Sequence, residues 1–309
     1  MTALVSVGSF LPAKQVPIEE RAARLGLTPM QAKVFRRYHK QSEVRVDPEG
    51  GLADLLRGAL ADLDGLRGNE QRVRYVLHAR SFPVVTPYPL DPLRDLCLEY
   101  GLGHALRFAV GQHACASGLL SIDAAGRLLA ADGDPEALAL VLAGEKTFTA
   151  ETRLSAETAF FGEGAGACLV RTGGDRDKVL AYAVDLRGEL GTEVAQLGPD
   201  YQSEYTGSLA ETIRAAVRRA GLRMDQIGLI LPHSVNTIAW QRVCRRLDFP
   251  LDRVVLDNVA GSGHVFCADH FINYRTALTR GLLRPGERYV MAAAGASAGG
   301  AFAAMVFEH

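Results

Sequence analysis

An α/β fold made of two similar halves is predicted by three features of this 309-residue sequence. Short apolar, β-rich runs alternate with longer Ala/Leu/Arg stretches of helical pattern, as expected of buried central strands covered by helices. A polar segment, Arg171-Thr-Gly-Gly-Asp-Arg-Asp-Lys178, reads as a loop near mid-chain. The stretches on either side of it echo each other, which divides the chain into residues 1–172 and 173–309.

Before the loop, the candidate strands are Leu4–Ser9, Arg74–Ala79, Ala137–Ala143 and Ala165–Val170. After it they are Val179–Asp185, Gly228–Leu231, Tyr289–Ala294 and Ala303–Phe307. In the first half a helix from Cys115 ends near Gly133, the strand Ala137–Ala143 leads to Gly144, and Gly162-Glu-Gly-Ala-Gly-Ala-Cys-Leu-Val170 closes the unit. In the second a helix from near His264 ends near Gly281, the strand Tyr289–Ala294 leads to Gly295, and Gly299-Gly-Ala-Phe-Ala-Ala-Met-Val306 closes it. Cys115 precedes Gly133 by 18 residues and His264 precedes Gly281 by 17, so the two side chains are expected at matching positions of a duplicated unit. A pseudo-twofold axis would bring both helix starts to one central place.

Composition sets outer bounds. With 48% hydrophobic residues the chain has ample material for a core, and a formal net charge of -1 supplies no global field for nucleic acid or an anionic membrane. The five cysteines, Cys97, Cys115, Cys168, Cys244 and Cys267, are odd in number, widely spaced and without CxxC spacing. That pattern points to a reducing compartment, with neither disulfides nor a metal site. The N-terminus lacks a basic, then apolar, leader, and no run reaches the ~18 uninterrupted apolar residues of a membrane span. A cytoplasmic protein is expected.

Cys115 carries the chemistry. In Ala109-Val-Gly-Gln-His-Ala-Cys-Ala-Ser-Gly-Leu-Leu120 an apolar strand runs into it and a small-residue helix runs out of it. A thiol at that corner sits beside unsatisfied helix N–H groups and the positive end of the helix dipole, which favour thiolate and offer donors to an oxyanion. The competing reading for a lone Cys is simple packing in the core.

The chain resembles the thiolase superfamily and, within it, the ketoacyl-ACP synthase III branch, over nearly its whole length. The resemblance rests on Ala114-Cys-Ala-Ser-Gly118, Phe161-Gly-Glu-Gly-Ala-Gly-Ala167, Leu231-Pro-His-Ser-Val-Asn236 and Leu283-Arg-Pro-Gly-Glu-Arg-Tyr-Val290, four motifs in order. It implies an αβαβα five-layered fold, usually a homodimer, with acyl groups carried as thioesters on the Cys. Condensing members use Cys, His and Asn, the last two donating hydrogen bonds to the enolate formed when a malonyl thioester loses carbon dioxide. Cys115 and His233 match the first two. Counting back from Arg284-Pro-Gly286, His264 stands where the family carries Asn, and Asn258 lies in the loop before it.

That departure changes the chemistry, because an amide only donates or accepts hydrogen bonds whereas an imidazole also takes a proton near neutral pH. Asp269, five residues on, can be turned back to His264 by the start of the next helix. Cys115, His264 and Asp269 then resemble a subgroup of synthase III-like acyltransferases from natural-product pathways, which pass an acyl group to oxygen, nitrogen or a carrier thiol without forming a carbon–carbon bond. A helix-terminal His satisfied by backbone groups and an Asp that merely complements the helix dipole are the plainer readings of these two residues. The donor implied is an acyl-CoA or acyl-carrier phosphopantetheine thioester, with no tightly bound cofactor. The alternatives are a decarboxylating condensation with His233 and His264 both stabilising the enolate, and a non-catalytic partner subunit.

The resemblance assigns the oxyanion hole to the Cys115 N–H with a backbone N–H of Gly295, Ala296 or Ser297. His233 and Asn236 are expected to line the site, with Phe82, Tyr88, Phe148 and Phe266 as pocket walls. Gly162, Gly164 and Gly166 lie between strand-forming segments, so they read as tight packing and not as a phosphate loop. Arg214 and Arg218 on the helix Glu211–Ala220, with Arg242, Arg245 and Arg246 after Trp240, are expected to receive an acidic acyl carrier protein; a solvated helix face is the default for such stripes. Arg36, Arg37, His39 and Lys40 form another basic run, where relatives can hold the nucleotide of coenzyme A.

Overall fold

The computed structural model describes residues 1–150, 152–155, 158–190, 199–296 and 299–309. Its main elements are β1 (Thr2–Phe10), α1 (Leu52–Ala61), β2 (Val73–Ala79), α2 (Pro92–Glu99), β3 (Leu106–Val110), α3 (Ser117–Asp132), β4 (Leu138–Glu145) and β5 (Gly164–Thr172). There follow β6 (Lys178–Arg187), α4 (Pro199–Arg219), β7 (Leu229–Pro232), α5 (Thr237–Leu247), α6 (Asp269–Thr279), β8 (Arg288–Gly295) and β9 (Gly300–Glu308). All eight expected strands are present, with ends that differ from the expected ones by at most three residues, and β3 is the strand that feeds Cys115.

The strands hydrogen-bond in the order β7-β8-β9-β6-β1-β5-β4-β2-β3. Between β6 and β1 a single residue pair, Ala3 with Lys178, makes the join. The chain thus forms one array, β1-β5-β4-β2-β3, and a second, β6-β9-β8-β7, with the same sense of pairing. The counterpart of β3 in the second array has shrunk to one parallel bridge, Ile230 with Val254.

Alternation along the strands explains the layering, since successive side chains point to opposite faces. On β4, Ala139, Val141 and Ala143 enter the central core, while Leu138, Leu140 and Leu142 enter an outer core with α1 and α2. On β8, Tyr289, Met291 and Ala293 enter the same central core, and Val290, Ala292 and Ala294 pack outward against α4 and α5. Strands apolar on both faces must be covered on both, and the result is five layers.

The helices carry matching signatures. Outer helix α1 buries Leu52, Leu55, Leu56, Ala59 and Leu60, and outer helix α5 buries Trp240, Val243, Cys244 and Leu247, each a single stripe. Central helices α3 and α6 are buried on several faces. With its preceding turn, α3 is long and apolar enough by composition to cross a membrane, but here Leu119, Ile122, Ala125 and Leu129 fill the central core. Gly118 lets α3 touch the other half: a Cβ there would lie 3.0 Å from the Cys267 carbonyl oxygen.

Candidate active site

The parallel strands β2, β3 and β4 of one array and β7 and β8 of the other end near the starts of α3 and α6, the edge where open α/β sheets expose loop side chains. Beyond β3, a 3-10 turn, Ala114–Ala116, carries Cys115 into α3. In the second half a 3-10 turn, Phe266–Ala268, runs into α6. Both turns open on a left-handed residue, Ala114 at φ 46° and Phe266 at φ 50°. Such backbone costs a non-glycine residue energy and collects at functional sites.

These turns correct the residue count made from the sequence. By local structure Cys115 matches Cys267, and His264 stands three residues before it, in a segment bridged to Phe161. Counting back from the terminal glycines misplaced the match because α3 has 16 residues and α6 has 11. The helix expected near His264 begins at Asp269. The glycine-rich run holds this segment in place: His264 N donates to Phe160 O at 2.9 Å, and Gly162 N donates to His264 O at 3.0 Å. A Cβ on Gly162 would lie 1.9 Å from the Ser262 carbonyl oxygen, so only glycine fits there.

Cys115, His264 and Asp269 form an unbroken chain. His264 Nε2 is 3.2 Å from Cys115 Sγ, and His264 Nδ1 is 2.5 Å from Asp269 Oδ2. Asp269 is held in turn by the backbone N–H groups of Ser234, on Oδ2 at 2.5 Å, and Val265, on Oδ1 at 2.9 Å. His264 and Asp269 are 3% and 1% exposed, so the pair is screened little by solvent. Burial opposes the His264 imidazolium, but the adjacent charges of Cys115 and Asp269 and their hydrogen bonds outweigh it and raise its pKa to about 10.

His233 directly follows β7, with its ring centroid 5.8 Å from that of His264. Its Nε2 is 2.8 Å from Tyr205 Oη on α4, and its Nδ1 is 3.4 Å from Ala292 O. Burial first, then the neighbouring His264 and His270, hold its pKa well below the usual histidine value, so the ring is neutral at pH 7. A carbonyl only accepts, so Nδ1 carries the proton and Nε2 accepts from the Tyr205 hydroxyl.

Ser81, just past the end of β2, donates its hydroxyl to Cys115 Sγ at 3.4 Å and lies 3.5 Å from Cys267 Sγ. Its backbone N–H and that of Phe82 donate to the two carboxyl oxygens of Glu145, at 2.5 and 3.2 Å. Burial raises the Glu145 pKa to about 7 against the pull of those hydrogen bonds. Phe161 stacks on Phe266 at 4.6 Å, Phe82 meets Phe266 edge-on at 5.6 Å, and the Phe161 ring lies 5.2 Å from His264. Phe266 thus stands by the imidazole, ring centroids 6.0 Å apart, with Phe82 packed on the Phe266 ring.

Tyr88 and Phe148 do not. Tyr88 is 98% exposed because it sits at the tip of a turn closed by Leu90 N to Pro87 O, and Phe148 is 50% exposed because Thr147 beside it turns inward to Glu163. Asn236 is the N-cap of α5: its Oδ1 accepts from Ala239 N at 2.7 Å and its Nδ2 donates to Thr158 O at 2.9 Å. Gly295 lies against the nucleophile turn, where an added Cβ would meet His113 O at 2.2 Å and the Ala114 Cβ at 2.8 Å. Ala296 packs on the outer core, and Ser297 lies outside the described residues. With the oxyanion hole that the resemblance implies, the Cβ of Gly295→Ala, by pushing the nucleophile turn away, is expected to slow Cys115 acylation about 10²-fold, the scale of a misplaced oxyanion donor, as read by stopped-flow release of the carrier thiol.

Arg214 of α4 pairs with Glu211 at 2.6 Å and also donates to the Arg246 carbonyl, which joins the two expected basic clusters where α4 and α5 pack. Arg218, Arg242, Arg245 and Arg246 are exposed. Arg242 also acts on His39, at the end of the π-helical turn Phe35–His39 that holds Arg36 and Arg37. Among the described residues no group of three His, Cys, Asp or Glu side chains is placed to hold a metal ion.

Ser81, Glu145, Phe161 and Tyr205 were not singled out from the sequence. Ser81 and Glu145 had a usable signal, polar residues at the C-terminal ends of parallel strands; Phe161 opens a quoted motif. Tyr205 had only its helical spacing from Tyr201.

Residues 217–309 match the family model described as 3-oxoacyl-[acyl-carrier-protein] synthase III C terminal. The β-ketoacyl-[acyl-carrier-protein] synthase III of Pseudomonas aeruginosa is 26% identical over 219 residues, covering 63% of this chain and 65%, just under two thirds, of that relative's length. The enzyme of the same name from Rhodobacter capsulatus is 26% identical over 315 residues, with 94% of each chain covered. In structure, the P. aeruginosa protein, FabH, superposes with a TM-score of 0.82 at 22% identity, over 99% of this chain and 98% of that one. ChlB3, described as an acyltransferase, superposes with a TM-score of 0.85 at 18% identity, over 99% and 97%.

Proposed function

We propose that this chain, ketoacyl-ACP synthase III-like in its C-terminal family match, its relatives and its fold, moves an acyl group through Cys115 to a hydroxyl, amine or thiol without decarboxylative condensation. The observation that carries this reading is the chain Cys115 Sγ, His264, Asp269, with an imidazole where condensing relatives place an amide. The state of His233 supports it, because a neutral ring accepting from Tyr205 offers no N–H to an enolate.

Two half-reactions follow. Cys115 attacks the thioester carbonyl as thiolate, the oxyanion is held by backbone N–H groups near Cys115 and Gly295, and the leaving carrier thiolate takes the proton from His264 Nε2. Having given its Nε2 proton to the leaving thiolate, the His264 ring is neutral in the acyl-enzyme and free to act as a base. The acceptor then attacks acyl-Cys115 while His264 Nε2 takes its proton, and collapse of the tetrahedral intermediate expels the Cys115 thiolate beside a reprotonated His264. Asp269 holds the ring's Nδ1–H throughout.

In this reading the donor is an acyl-CoA or acyl carrier protein thioester, and the exposed arginines of α4 and α5 receive an acidic carrier. The protein works as a cytoplasmic homodimer. The edge strand β3, with Leu106 exposed, supports pairing of two copies. The division at residue 172 marks two copies of one ancestral unit, supported by the matching strand orders.

Intact-protein mass spectrometry tests the reading after incubation with a panel of acyl-CoA and acyl-carrier thioesters, malonyl included. A mass increment is expected on the wild type and none on Cys115→Ala. The same increment on both would place the acyl group elsewhere and end the proposal, and none with any donor would turn it toward a non-catalytic subunit.

A further inference from the structure

Tyr205 lies outside the motifs that carry the resemblance, yet it takes the ring nitrogen on which a condensing site would depend. It is anchored by Phe302 of β9, ring centroids 6.3 Å apart, and by Tyr201, one helical turn earlier, at 6.0 Å. From there its hydroxyl reaches His233 Nε2 at 2.8 Å. His233 is 1% exposed, edge-on to Trp240 at 5.8 Å, so the ring has little freedom to turn away. The contact that opposes Tyr205 across the ring, Nδ1 to Ala292 O, is long at 3.4 Å. The carbonyl, which only accepts, places the proton on Nδ1, and the shorter tyrosine contact fills the Nε2 lone pair that this tautomer leaves.

Loss of carbon dioxide from a malonyl thioester breaks the bond to the carboxylate and places that electron pair on the thioester oxygen, with a later proton from water restoring the carbon. The developing oxyanion needs N–H donors aimed at it. His264 brings one N–H when protonated, and His233, with its Nε2 lone pair occupied, brings none. We propose that Tyr205 is a positioning residue that sets the reaction outcome: by filling the Nε2 lone pair of the Nδ1–H tautomer, it withholds the second N–H that decarboxylation requires and leaves transfer through His264 as the open route. This inference rests on the acyl-Cys115 reading above.

The test uses the full-length protein and malonyl-CoA. Carbon dioxide released is measured per Cys115 acylated, in wild type, in Tyr205→Phe and in the double variant Tyr205→Phe with His233→Phe. Removing the hydroxyl empties the Nε2 side, so only the long Ala292 contact opposes the Nε2–H tautomer when an oxyanion develops, and release per acylation is expected to rise about tenfold, the rate equivalent of one hydrogen bond. The double variant is expected to fall back to the wild-type ratio, because the gain runs through His233. An unchanged ratio in Tyr205→Phe, or a gain that survives loss of His233, overturns the inference while leaving acyl-Cys115 intact. Absence of acyl-Cys115 in the wild type overturns the underlying reading instead. A ¹⁵N spectrum of the wild type decides independently of any variant's folding: an unprotonated His233 Nε2 supports the inference and a protonated one overturns it.

Discussion

Replacing His264 with alanine is expected to leave Cys115 able to take an acyl group while slowing its transfer to the acceptor about 10²–10⁴-fold, the range of a lost general base. Acyl-enzyme should accumulate, and a chase with acceptor, followed by mass spectrometry, reads its decay directly. Acylation is expected to slow less, because the sulfur nucleophile and the oxyanion donors remain and a carrier thiolate departs without needing a general acid. Transfer from Cys115 as fast as in the wild type would remove His264 from the mechanism. The same variant reports on stability. His264 has a folded pKa of about 10 against 6.5 for a free histidine, so its charge stabilises the fold fully below pH 6.5, and that contribution fades as pH rises toward 10. The difference in Tm between wild type and variant is expected to be largest at low pH in that window and to shrink across it.

Asp269→Asn is expected to produce the second large effect, roughly 10²–10⁴-fold in turnover, because an amide cannot stabilise the imidazolium and can hold the ring in the wrong tautomer. The carboxylate also accepts from Ser234 and Val265 N–H, and an amide nitrogen turned toward either would leave that donor unpaired. With one negative neighbour gone the His264 pKa is expected to fall below its wild-type value, and titration of the ring resonances by NMR reads this. An unmoved titration with lost activity would make Asp269 a structural residue only.

What the sequence disclosed follows its range. The strands were legible because both faces of β4 and β8 are apolar, a short-range pattern, and the return of Asp269 to His264 was legible because five residues of turn join them. Pairing Cys115 with His264 by counting was not, since two helices of unequal length start from equivalent turns. Tyr88 and Phe148 read as pocket walls by residue type, whereas a turn tip and an inward Thr147 decide where they point. Ser81 and Tyr205 reach the site from 34 and 28 residues away from their partners Cys115 and His233. Such contacts exist only once the layers stack.

The shortened counterpart of β3 also limits how copies can assemble. One end of the strand array presents the full backbone edge of β3, and the other ends in the single Ile230–Val254 bridge, too little ladder to seat another strand. Two molecules that join through β3 therefore use up each other's open edge. In the proposed homodimer, growth would stop at a closed pair with a twofold axis, without edge-to-edge propagation into a fibre.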